Sequence, residues 1–156
     1  MNEFDQRPIL LVEDNQDDEV LTLRAFRKSN IRNPVVVARD GAEALDYLFG
    51  RNAYASRDLS IMPQVVLLDV HLPKLDGLEV LRHIREDERT RSLPVVMLTS
   101  SNEERDLSGS YQLGVNSYVR KPVDVTSFFE AVRQLGMYWL VLNELPSAAA
   151  APRKTA

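Results

Sequence analysis

The chain has 156 residues, the size of one ordinary domain with one complete hydrophobic core. Apolar residues make up 44% and charged residues 27%, a balance that excludes a disordered chain. The net charge of -4 offers no attraction to a phosphate backbone, so nucleic-acid binding is not expected, and the absence of cysteine excludes disulfides and thiolate chemistry. No apolar run approaches the roughly 20 residues that span a bilayer, and no signal peptide is evident. The expectation is a cytoplasmic protein with no membrane partner.

The first predicted strand is Ile9 to Val12, an apolar run without alternation. Val35 to Ala38, Val65 to Leu68 and Val95 to Leu98 repeat the pattern, which fits strands buried on both faces of a parallel sheet. A shorter fifth run covers Ser117 to Val119. Segments between the runs carry helical spacing, with Val20, Leu23 and Phe26 in one stripe and Leu78, Leu81 and Ile84 in another. Pro34, Pro63 and Pro94 each sit just before a strand, where the preceding helix must have ended, and Gly114 closes the fourth helical segment. Gly50 to Met62 is a polar insertion containing Tyr54 and Ile61 and reads as a surface loop. The last helical segment buries a stripe of Phe128, Val132, Leu135, Trp139 and Leu142. Residues 146–156 are alanine-rich and aperiodic, so the predicted organisation is one domain over 1–145 and a flexible tail over 146–156. Alternating strands and helices make a doubly wound α/β fold, a five-stranded parallel sheet with helices on both faces.

In such a sheet, ligands bind beyond the carboxyl ends of the strands, where the strand order reverses. Glu13 and Asp14 follow the first run, Asp69 the third, and Lys121-Pro122 the fifth, while the fourth ends in Thr99 and Ser100. All the polar groups suited to chemistry therefore meet on one rim. Two carboxylates about 5 Å apart repel by roughly 3 kcal/mol at an effective dielectric near 20. Three acids so placed are destabilising unless cations share the site, and a hard divalent ion such as Mg2+ suits oxygen ligands. Capping of the first helix is the competing role for Glu13 and Asp14, and Asn15 is a further candidate for the cap.

The motifs LLVEDN at Leu10 to Asn15, LLDVHLPKLDG at Leu67 to Gly77, MLTS at Met97 to Ser100 and SYVRKP at Ser117 to Pro122 together resemble the receiver domain of two-component response regulators, over Pro8 to Leu145. The resemblance implies a flavodoxin-like sheet of order 2-1-3-4-5 and a signalling protein rather than a metabolic enzyme. It implies that Asp69 accepts a phosphoryl group from a phosphohistidine of a sensor histidine kinase. Asp14 and Asp69 would ligate Mg2+ or Mn2+, with Glu13 acting through water and His71 through its backbone carbonyl. Thr99, Ser100 and Lys121 would contact the phosphoryl oxygens, Thr99 and Tyr118 would form the conformational switch, and Lys121-Pro122 would be a cis peptide. Neither imidazole, of His71 or His83, receives a catalytic role.

The pair Glu13-Asp14 stands where many receivers carry two aspartates, and Ser100 where a smaller residue is frequent. Met137, Tyr138, Leu140, Val141 and Leu145 make the end of the last helix apolar nearly all round. A symmetric partner would cover that surplus, so a homodimer is expected, with Met137, Tyr138, Val141 and Leu145 at its interface. The insertion and this long helix also look like the stand-alone regulators paired with bacterial phytochrome kinases. With no effector domain following, output is expected through protein contacts. A haloacid-dehalogenase-type phosphatase is disfavoured because His71 stands where its second carboxylate belongs. A dinucleotide-binding domain is disfavoured because no G-x-G-x-x-G follows the first strand. An interaction module that does not depend on phosphorylation is disfavoured by the intact set Asp14, Asp69, Thr99 and Lys121.

Overall fold

The computed structural model describes residues 7–28, 31–99, 109, 111–115 and 117–120, with only the backbone of 98, 99 and 117–120. The elements are β1 (Ile9–Val12), α1 (Gln16–Lys28), β2 (Val35–Ala38), α2 (Gly41–Phe49), β3 (Val65–Leu68), α3 (Gly77–Glu86), β4 (Val95–Thr99) and β5 (Ser117–Arg120). All neighbouring strands pair in parallel, in the order β2-β1-β3-β4-β5. That is the expected flavodoxin-like order, and the five apolar runs are the five strands.

Alternation along each strand divides the core in two. Ile9, Leu11, Val65, Leu67 and Val96 face one side, packed with Ala25 and Phe26 of α1. Leu10, Val12, Val66, Leu68, Val95 and Met97 face the other, packed with α2 and α3. Pro34 and Pro94, just before their strands, lack an N–H but still serve the sheet through their carbonyls. Pro34 accepts from Ile9 at 2.9 Å and Pro94 from Val66 at 2.9 Å.

Three details differ from expectation. The buried face of α1 is Thr22, Ala25 and Phe26, while Val20 is 44% exposed and Leu23 is half-buried. Thr22 tolerates full burial because its hydroxyl donates to the Asp18 carbonyl at 2.8 Å. On α3 the innermost residues are Val80, Leu81 and Ile84, with Leu78 half-buried. β2 is an edge strand, so Val35, Val36 and Val37 are only half-buried despite their continuous apolar run.

Gly50 ends α2 in the left-handed region (φ 67°), and Asn52–Tyr54 then form one 3-10 turn. Gly114 likewise has φ 86° after the helical residues Tyr111 and Gln112, as a helix-closing glycine should. The last helix, the 146–156 tail, Met137, Tyr138, Val141 and Leu145 lie outside the described residues. Among the described residues, no helix is long and apolar enough to cross a membrane.

Candidate metal centre

β1 and β3 are adjacent, and the chain leaves them toward opposite faces, so their carboxyl ends border a crevice. The sheet's hydrogen bonding extends one residue into that crevice. The Glu13 amide donates to Ala38 O at 2.9 Å, and the Asp69 amide donates to Val12 O at 3.1 Å. Both acids are thereby fixed on the rigid frame. Glu13 is 2% exposed and Asp69 8%, whereas Asp14 is exposed.

One carboxylate oxygen from each of Glu13, Asp14 and Asp69 lies within 4.8 Å of the other two. The hydrogen bonds at the start of α1 show which residue caps it. Asn15 caps α1, its Oδ1 accepting from the Asp18 amide at 3.0 Å. Glu13 instead turns back, its Oε2 accepting from the Asn15 amide at 3.2 Å. Asp69 Oδ1 accepts from the His71 amide at 3.3 Å.

Three carboxylates this close, two of them buried, form an electronegative pocket that a cation would neutralise. The donors are all hard oxygens, and a small divalent ion that keeps some of its waters fits that set. The cleft is lined by Asp14, Asn15, Gln16, Asp17, Asp18, Asp69 and His71. His71 is exposed on its wall, and its nitrogens are not part of the three-carboxylate cluster.

Thr99 is the last residue of β4, paired in register with Arg120, and Tyr118 on β5 pairs with Met97. Both therefore stand at the same sheet end region as the acids, by backbone position. Lys121 follows the last residue of β5; Lys121, its bond to Pro122 and Ser100 lie outside the described residues. Sequence reasoning overlooked the glycines around the site. A Cβ on Gly77 would lie 2.1 Å from the Asp69 carbonyl oxygen, so only glycine lets α3 start so close to β3. The LDG ending of the second motif, Leu75 to Gly77, was the available signal.

The family model for the response regulator receiver domain matches residues 9–133. Response regulator Rcp1 of Synechocystis sp. is 37% identical over 90% of this chain and 93% of its own length. The Mn(2+)-bound crystal structure of Rcp1 superposes with a TM-score of 0.84, covering 90% of this chain and 99% of Rcp1. The phosphorylated cyanobacterial phytochrome response regulator RcpA is 39% identical over 91% of this chain and 99% of its own, with a TM-score of 0.85. The bacteriophytochrome response regulator AtBRR is 56% identical over 89% of this chain and 99% of its own, with a TM-score of 0.71.

Proposed function

The chain belongs to the response regulator receiver domain family, and on that premise we propose that it is a switch phosphorylated on Asp69 by a histidine kinase. The three-carboxylate cluster at the β1–β3 crevice is the observation that carries this reading. The chain's likeness to RcpA, crystallised phosphorylated, and to Rcp1, crystallised with Mn2+, supports both the modification and the ion. The likeness to RcpA, a phytochrome response regulator, and to AtBRR, a bacteriophytochrome response regulator, supports a phytochrome-type kinase as the partner.

Asp14, Asp69, Glu13 through water and the His71 carbonyl are the proposed ligands of Mg2+ or Mn2+. When bound, the ion supplies charge neutralisation for the carboxylates and the incoming phosphoryl oxygens. An Asp69 carboxylate oxygen forms the new P–O bond as the P–N bond of the kinase phosphohistidine breaks. The imidazole leaves with the electron pair and takes up a proton. Thr99, Ser100 and Lys121 are proposed to hold the phosphoryl oxygens, and Thr99 and Tyr118 to pass the change to the β4–β5 side. Self-association through Met137, Tyr138, Val141 and Leu145 and a cytoplasmic setting complete the proposal.

Incubation with acetyl phosphate and Mg2+, followed by intact-mass measurement, tests it. Wild type should gain one phosphoryl mass and Asp69→Asn none. Equal gain by both, or no gain under any divalent ion, rejects Asp69 as the acceptor.

A further inference from the structure

The loop from Val70 to Asp76 is gripped at both ends by glycines. At Gly77 the amide donates to Val70 O at 2.7 Å, and a Cβ would stand 2.8 Å from Val70 Cα as well as 2.1 Å from Asp69 O. At Gly41, the first residue of α2, a Cβ would stand 1.9 Å from the Leu75 carbonyl oxygen and 2.9 Å from Leu75 Cβ. Neither helix has room to retreat. α2 is anchored in the core by Ala44, Leu45 and Leu48, and α3 by Val80, Leu81 and Ile84.

Between the two contacts the chain makes a tight turn about Lys74, whose φ is 67°. The Leu75 amide donates to the Pro73 carbonyl at 2.7 Å across it. A lysine in this left-handed region is strained, and such strain persists only where the surroundings enforce it. Asp40, the N-cap of α2, lies 3.4 Å from Lys74 Nζ, so the helix that presses on Leu75 also draws on the turn.

We propose that Gly41 and Lys74 are positioning residues for cation uptake: the α2 N-terminus forces the loop into the curve that sets the His71 carbonyl as a ligand. This rests on the reading of the carboxylate cluster as a metal site. A methyl group at Gly41 must displace Leu75. Gly77 is held against Asp69 O and Val70 Cα, so the displacement should fall on residues 71–74, which include the proposed carbonyl ligand, His71. Groups that orient a ligand without touching the metal typically account for about 10–100-fold in affinity.

The test is Mn2+ titration calorimetry on wild type, Gly41→Ala, Lys74→Gly and Gly50→Ala, with metal-free thermal unfolding of each. Gly41→Ala should bind about 10-fold more weakly or worse. Lys74→Gly should also bind more weakly, yet melt no lower than wild type, a combination that a merely structural role does not produce. Gly50→Ala strains the far end of the same helix, where φ is 67°, and should melt lower with wild-type affinity. Wild-type affinity in both Gly41→Ala and Lys74→Gly overturns the inference. If Gly41→Ala does not fold, Lys74→Gly decides by the same criterion. Absence of uptake by wild type itself rejects the metal reading, and this inference with it.

Discussion

Arg57 grips Tyr47 by both its ring and its backbone: the guanidinium carbon lies 4.2 Å from the ring centroid while Nε donates to the Tyr47 carbonyl at 2.6 Å. Arg57 Nη1 donates to Ile61 O at 2.7 Å, and Nη2 to Leu48 O at 3.3 Å. One side chain thus satisfies carbonyls at the end of α2 and folds the following insertion back on that helix. Arg57→Ala should destabilise the protein by about 2 kcal/mol in urea unfolding, since several carbonyls lose a charged donor together. Arg57→Lys should recover little, because an ammonium cannot fork or stack like a guanidinium. The insertion leads away from the carboxylate rim, so Mn2+ affinity should not change in either variant.

Asp87 and Arg89 give the clearest pH effect. Hydrogen bonds from the Arg89 guanidinium and amide lower the Asp87 carboxyl from 3.8 to about 2. Arg89 also stacks on Phe49 at 4.8 Å, with Arg51 on the same ring at 5.0 Å, so the pair joins the α3–β4 loop to the end of α2. A folded-state value below the unfolded one means stability is present above about pH 4 and lost as the pH falls toward 2. The side chains of Arg89 and Asp87 are 49% and 31% exposed, so solvent screening limits the effect to under about 1 kcal/mol. The stability difference between wild type and Asp87→Asn should therefore be smaller at pH 3 than at pH 6. A difference that grows on acidification rejects the assignment.

Tyr54 ties the insertion to the opposite end of α2. Its hydroxyl donates to Glu43 Oε2 at 2.9 Å, while Glu43 Oε1 accepts from the Arg39 amide at 3.1 Å. Its ring meets Tyr47 edge to face at 5.2 Å. Tyr54→Phe keeps the ring contact and loses the hydrogen bond, which should cost about 1 kcal/mol. Burial first, and then Glu43, raise the Tyr54 hydroxyl above 10. The protonated form is thus favoured by folding, and its stabilisation is present below pH 10 and lost as the pH rises through the higher folded-state value. The gap between wild type and Tyr54→Phe in urea unfolding should shrink above pH 10.

The strands and the acidic rim were legible because each depends on short-range pattern alone. Val65 to Leu68 must be an internal strand, and whatever follows it, here Asp69, must emerge at the crevice. The buried face of α1 was misjudged because Thr22 satisfies its hydroxyl within the helix and so packs inward like an apolar residue, while Val20 is left outside. The edge position of β2 follows from strand order, which the run Val35 to Ala38 does not encode. Arg57 carries no sequence signal within the polar insertion, since its acceptors are backbone carbonyls that no residue type announces. Gly41 carries no signal beyond being glycine at a helix start and Gly77 only the LDG motif ending, and what they permit appears once Leu75 and Asp69 are packed against them.

Asp14 offers the sharpest test of the electrostatics. Its carboxylate shares a pocket within 4.8 Å of those of Glu13 and Asp69, and it is the exposed member of the three. Without a cation their mutual repulsion opposes folding, so Asp14→Asn should stabilise the metal-free protein, by about 1 kcal/mol after solvent screening. With a cation present the order should reverse. Wild type gains stability as RT ln(1 + [L]/Kd), about 2.7 kcal/mol at a hundredfold excess over Kd, whereas Asp14→Asn loses most of that gain with its ligand. Thermal unfolding of both proteins across a series of Mn2+ concentrations should therefore give melting curves that cross. Parallel curves would mean that the three acids are an incidental cluster, because only a shared ion makes the same substitution stabilising without metal and destabilising with it.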